Sequence, residues 1–281
     1  MTARLLVITD STCDLPTDWV KRFDIRIVPT YVQFGQDSYA DDGVQLTRQD
    51  FYRRLVSSPA LPTSSAPPPG QTQETMARAL ADADHVIALT APAKLSGVFN
   101  TFRLAAERTD PQRVTLIDSG TTSMGLGWQV INAAEMAQAG AAPAEIEAAN
   151  RALQPRVDVW AALDTLEFVR RSGRVSWAAA LVGDLFKIKP LIRLHDSVVS
   201  SVTRVRTTQR AFQALVDLAR NAAPLERLAV MHTDNLAGAR RLMDALADIH
   251  PAAESIIIEA TPVLGVHVGP QALGLGVVRH H

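Results

Sequence analysis

The sequence has one cysteine, Cys13, and this excludes an internal disulfide and any zinc site built from several thiolates. Aromatic residues are only 5% of the chain, which argues against a surface that stacks nucleobases. Neither sign of charge dominates: 28 Lys and Arg face 29 Asp and Glu, a formal net charge of −1. Without a basic field to gather phosphates, nucleic acid is not an expected partner. No apolar run approaches the ~18 uninterrupted residues of a membrane helix. The first apolar stretch stops at Asp10, too soon for a secretory signal. The seven histidines show no metal-ligand spacing, so no metal is expected. Phosphate-binding glycine patterns are absent too: Gly125-Leu126-Gly127 and Gly274-Leu275-Gly276 do not continue to Gly-x-x-Gly. No cofactor is therefore expected, and the reading is of a soluble, cytoplasmic protein.

What is present is an alternation of apolar runs and helical periods. Residues 4–9, 85–90 and 113–117 read as buried strands, and residues 71–83, 96–108 and 123–139 as helices between them. Residues 24–34 read as a further strand broken by Pro29, and residues 47–57 as a helix capped by Thr47. This rhythm predicts an α/β fold whose N-terminal lobe is a three-layer structure around a parallel sheet. Ligands in such sheets sit at the C-terminal strand ends. Asp10-Ser11-Thr12, Thr90 and Asp118-Ser119 all fall there. After a helix ending near Leu153, a boundary at Gln154-Pro155 divides the chain into lobes 1–153 and 154–281. The second lobe reads as mixed α/β with a hairpin at 189–205, a short helix at 176–183 and a final Gly-rich segment.

Five segments carry chemistry. Ser96-Gly97 opens a predicted helix, where free N–H groups and a hydroxyl suit an anion, although a serine there is also an ordinary cap. Thr63-Ser64-Ser65 lies in a segment with five prolines between residues 58 and 70, read as a stiffened binding loop or a plain linker. His267, in Gly265-Val266-His267-Val268-Gly269-Pro270, reads as an extended segment. It is either a satisfied core histidine or a donor to a carboxylate, which would raise its pKa. Ser119, Ser123, Met124 and Gly125 mark a strand end and a helix whose small residues leave room for a slender ligand. Arg170, Arg171 and Arg174 form a basic patch, either a solvated helix end or a dock for an acidic or phosphorylated partner.

Taken together, Asp10-Ser11-Thr12 with Asp14, Thr63-Ser64, Leu95-Ser96-Gly97 with Asn100, Asp118-Ser119 with Ser123-Met124-Gly125, Ser172-Gly173-Arg174 and His267-Val268-Gly269-Pro270 resemble the DegV family in order and spacing across essentially the whole chain. The resemblance implies a bacterial carrier that buries a long-chain fatty acid and is itself no enzyme. It implies that the carboxylate is held by Thr63, Ser64, Ser96, Gly97 and His267, with Asp10, Ser11, Thr12, Ser119, Ser123, Met124 and Gly125 around the acyl tunnel. It further implies presentation of that acid to an ATP-dependent kinase subunit related to dihydroxyacetone kinases, which forms an acyl phosphate; Arg170, Arg171 and Arg174 would face that subunit. The helix at 123–139 is expected to line the tunnel, and neutral hydroxyls plus one histidine, rather than an arginine, are expected at the head. The family often shows Thr-Ser-Gln-Pro-Ser where this chain has Thr63-Ser64-Ser65-Ala66-Pro67. Two other readings stand beside this one: a lipid-responsive regulator without a kinase, and a serine acyl hydrolase using Ser96, His267 and Asp118. The hydrolase lacks a Gly-x-Ser-x-Gly elbow.

Overall fold

The computed structural model describes residues 3–58, 60–179, 188–251 and 255–280. The N-terminal half runs β1 (Leu5–Asp10), α1 (Thr17–Arg22), β2 (Arg26–Val28), β3 (Tyr31–Phe34), β4 (Asp37–Ala40), α2 (Arg48–Ser57), β5 (Thr63–Ser65), α3 (Pro69–Asp82), β6 (His85–Thr90), α4 (Val98–Thr109), β7 (Val114–Asp118), α5 (Met124–Gln138) and α6 (Pro143–Leu153). A single 3-10 turn, Gln154–Arg156, leads on to β8 (Val157–Ala162), α7 (Glu167–Ser172), α8 (Ser176–Ala179), β9 (Lys189–His195) and β10 (Val198–Val205). The chain ends with α9 (Thr208–Ala222), β11 (Leu225–His232), α10 (Leu236–Ala245), β12 (Ser255–Glu259), α11 (Pro262–Val268) and β13 (Leu273–Arg279).

Strand β1 is apolar on both faces because both are covered, as in a parallel sheet flanked by helices. Leu6 and Ile8 pack with α3 and α4, and Val7 packs toward α5. The parallel sheet has the order β2-β1-β6-β7. A six-stranded mixed sheet, β10-β9-β8-β13-β11-β12, forms the second half and carries α9 and α10 on its far side. Helix α5 lies between the two sheets and is buried on every side from Met124 to Ile131. One core therefore runs through both halves, joining Val7, Ile87 and Leu89 to Val159 and Ala229. Trp128 fixes this layer by donating its indole N–H to the carbonyl of Gly276 at 2.9 Å.

Three expectations need correction. The strand expected at 24–34 is two strands in different sheets: β2 pairs with β1, and β3 pairs with β4 and β5. Pro29, which has no N–H for a ladder, marks the switch. The proline segment is not wholly loop, since Thr63–Ser65 joins the edge of β3 with Ser64 opposite Val32. The helix expected at 176–183 is described only as Ser176–Ala179, and the rest of it lies outside the described residues. The Gly-rich C-terminus is helix α11 followed by a central antiparallel strand, β13. Its signals were local: Pro262 at the first helical turn and Gly269 at φ +76° just past the last. Period-two apolar spacing after Gly269 was masked by Gly274 and Gly276.

Candidate functional site

A cavity of about 250 Å³ lies where the C-terminal ends of β1 and β6, the edge strand β5 and helix α11 meet the six-stranded sheet. Its apolar wall comes mainly from the C-terminal half, including Val159, Ala161, Ile192, Leu194, Met231 and Val263. This differs from the expected tunnel along α5. Ser123, just before α5, reaches the cavity, but Met124 is fully buried in the core and does not line it. Gly125 serves packing rather than ligand space: a Cβ there would lie 2.5 Å from Thr121 Oγ1 and 2.6 Å from Val159 Cγ2.

At one end the lining turns polar. Ser64 Oγ and His267 Nε2 are hydrogen-bonded at 2.8 Å. Arg174 Nη2 stands 3.5 Å from the same hydroxyl, and its Nε donates to the Leu95 carbonyl at 3.0 Å. Ser96 and Gly97 border the same space. Gly97, not Ser96, occupies the N-cap of α4, and Ser96 Oγ accepts the N–H of Val98 at 3.2 Å. The first N–H groups of α4 have no helical partner and so favour an anion nearby. This constellation brings Ser64, Ser96, Gly97 and His267 together.

Thr63 is placed differently. It is exposed, its hydroxyl donates to Gln33 Oε1 at 3.3 Å, and it does not line the cavity. Along β5 Ser64 turns toward the cavity in its place, and Ser65 at the strand's end lines it as well. His267 lies in the last turn of α11 rather than in an extended segment. Burial, and next the Arg174 charge, push its pKa down to about 3. The ring is therefore neutral at pH 7, and its Nδ1 is buried with no hydrogen-bond partner among the described residues. Arg174 belongs to the head of the cavity, contrary to the expectation that no arginine would be there. Its burial lowers its pKa, but a guanidinium stays charged at neutral pH. Arg170 and Arg171 are exposed on α7 and do not line the cavity; Arg171 pairs with Glu167 at 3.1 Å.

The N-terminal motif forms a supporting layer. Asp10 is fully buried and accepts the N–H groups of Thr12 at 2.9 Å and Ala91 at 2.8 Å, which locks β1 to β6. Of Asp10, Ser11 and Thr12, only Thr12 lines the cavity. Ser119 ties loops together by donating to the carbonyls of Thr90 at 2.7 Å or Thr121 at 2.8 Å. Two acids stand behind the wall: Asp14, from the N-terminal motif, and Asp41, which no sequence motif marks. Asp41 accepts from Ser11 at 2.9 Å, and Ser11 also meets Thr30 at 2.6 Å, which faces the cavity. Asp14 accepts from Ser123 and, at 2.8 Å, from the N–H of Thr261. Burial raises Asp14 to about 6 and Asp41 to about 7.

The hydrolase triad is not assembled. The Asp118 carboxylate accepts the N–H groups of Ala93 at 3.1 Å and Gly120 at 3.0 Å, while His267 bonds Ser64 rather than Ser96. Among the described residues, no group of three His, Cys, Asp or Glu side chains is placed to hold a metal, and no helix is long and apolar enough to cross a membrane.

An α/β body whose cavity has an apolar sheet wall and gathers Arg174, His267, Ser64 and Ser96 at one end has the form of a small-molecule site. The chain belongs to the DegV family, described as uncharacterised proteins, which it matches over residues 4–280. A DegV domain-containing protein of Deinococcus radiodurans is 34% identical over 277 residues, covering 97% of this chain and 98% of the relative. The structure described as fatty acid binding of a DegV family protein from Thermus thermophilus superposes with a TM-score of 0.88 at 31% identity, covering 99% of this chain and 100% of that one. DegV of Bacillus subtilis, described as a fatty acid binding protein, gives a TM-score of 0.88 at 26% identity over 99% of this chain and 100% of that one.

Proposed function

We propose that this protein is a fatty-acid carrier that holds the acyl tail in the cavity and the carboxylate at Ser64, Ser96, His267 and Arg174. The observation that carries the reading is the asymmetry of the cavity: its sheet wall is mainly apolar, and the arginine in its lining, Arg174, stands with Ser64 and His267 where β5, α4 and α11 converge. A tail of about 15 methylenes at roughly 0.8 kcal/mol each gives an upper figure of ~12 kcal/mol before the costs of binding. The tail supplies affinity, and the head group needs only placement. A neutral His267 can donate from Nε2 to a carboxylate, and Arg174 supplies the positive charge that offsets desolvation of the anion. The fatty-acid binding described for the Thermus thermophilus and Bacillus subtilis relatives supports the same ligand.

The further step is that the carrier presents its carboxylate to an ATP-dependent kinase subunit, which forms an acyl phosphate. Exposed Arg170 and Arg171, on α7 just before Arg174, are the docking surface in this reading. The test is incubation of the protein with isotope-labelled palmitate, ATP and such a kinase. Label is expected to co-elute with the wild type and to appear as acyl phosphate. Arg170→Glu with Arg171→Glu should keep the co-elution and lose at least nine-tenths of the acyl phosphate. Undiminished product would remove the docking role, and absence of co-eluting label would remove the carrier.

A further inference from the structure

The cavity face of the six-stranded sheet consists of two rows in register. One runs Ile192, Ala161, Gly274 and Met231 across β9, β8, β13 and β11. The next, two residues along each strand, runs Leu194, Val159, Gly276 and Ala229. Residues two apart on a strand share a face, so both rows face the same side. Helix α5 covers half of the second row. A Cβ on Gly276 would meet Met124 Cβ at 3.0 Å, Ala229 is fully buried, and only Val159 and Leu194 reach the cavity. The first row is open along its whole length, and all four of its residues line the cavity.

Within that open row the side chains are uneven. Ala161 and Gly274 form a shallow trough between the bulk of Ile192 and Met231. Gly274 is hemmed in: a Cβ there would lie 3.0 Å from the Trp160 carbonyl oxygen and 3.1 Å from Met231 Cε. The carbonyl belongs to a paired strand and cannot yield, whereas the thioether can. The Ser123 hydroxyl stands 2.8 Å from the Met231 sulfur.

We propose that Gly274 and Met231 set how much acyl chain the cavity takes. The chain lies directly on the backbone at Gly274, and the Met231 thioether stops its advance. This rests on the fatty-acid reading and deepens it. The ligand class is a single unbranched chain, because the trough is floored by the two smallest residues. A methionine stop is flexible, so a range of lengths is accepted rather than one. Any side chain at position 274 drives Met231 into the path.

The test is displacement of a fluorescent fatty acid from delipidated protein by dodecanoate, hexadecanoate and octadecanoate. Met231→Ala is expected to shift the octadecanoate-to-dodecanoate affinity ratio by roughly tenfold toward the longer acid, the effect of about two more buried methylenes. Gly274→Ala is expected to shift it by a similar factor toward the shorter acid. Should Gly274→Ala fail to fold, Met231→Ala carries the test alone. An unchanged ratio in a Met231→Ala protein that still binds lipid would overturn the assignment. Failure of the wild type to bind any of the three acids would instead overturn the carrier reading beneath it.

Discussion

Replacing His267 with leucine is expected to weaken fatty-acid binding by about ten- to a hundredfold and, in the same protein, to raise the melting temperature. The first effect follows from losing a hydrogen bond to a charged group in a buried place, about 1.5–3 kcal/mol. Each 1.4 kcal/mol is about a factor of ten. The second follows from the free protein, where the imidazole is buried and its Nδ1 has no partner among the described residues. A buried unpaired polar atom costs about 1–3 kcal/mol, which leucine removes while filling similar space. At this chain length the gain is roughly 2–6 °C. The pH dependence sharpens the comparison. A histidine held near pKa 3 in the native state, against about 6.5 unfolded, contributes stability that is lost as pH falls below the unfolded value. The advantage of the variant should therefore be larger at pH 5 than at pH 8. Isothermal titration and thermal melting of the two proteins at both pH values check this. Unchanged affinity, or a lower melting temperature, would make His267 a packing residue and not a ligand-binding one.

The second large effect is expected at Asp41, and its sign is opposite. Asp41 is buried, accepts from Ser11, lies near Asp14 and is held at about 7, chiefly by burial. A carboxyl raised above its unfolded value of about 3.9 keeps its proton in the native state while the unfolded chain releases it. Its contribution is full below about pH 4 and is lost as pH rises through 7. Between pH 5 and pH 8 this amounts to about 3 kcal/mol from Asp41 alone. Asp41→Asn keeps an oxygen to accept from Ser11 and removes the titration. Urea unfolding from pH 5 to pH 8 should show a wild-type midpoint that falls with pH and an Asn variant in which most of that fall is gone. Equal slopes in the two proteins would mean that Asp41 ionises freely. Asp14, raised to about 6 by burial, contributes a smaller change of the same sign in both proteins.

The parts of the fold that could be read from the sequence were those whose burial is one-dimensional. Strand β6 is apolar at every position from Val86 to Leu89, and its bounds follow from that run. Thr47 could be read as a cap because its bond to the Asp50 N–H is local. What could not be read depends on contacts far along the chain. Nothing in Thr63-Ser64-Ser65 tells which hydroxyl faces inward until β5 pairs with β3, and a one-residue change of register exchanges Ser64 with Thr63. Arg174 resembles its neighbours Arg170 and Arg171 in sequence, yet it alone reaches Ser64 and Leu95. The apolar wall escaped for a related reason. Ile192, Ala161, Gly274 and Met231 become one surface only when four strands align, and no local pattern announces that alignment.

The most direct test of the carrier reading is native mass spectrometry of the purified protein, followed by organic extraction, on the wild type and on Ser96→Ala. The reading predicts an added mass equal to a fatty acid that is released by extraction and reduced in the variant. A wild-type protein that carries no such mass, and acquires none after incubation with a panel of fatty acids, would contradict it.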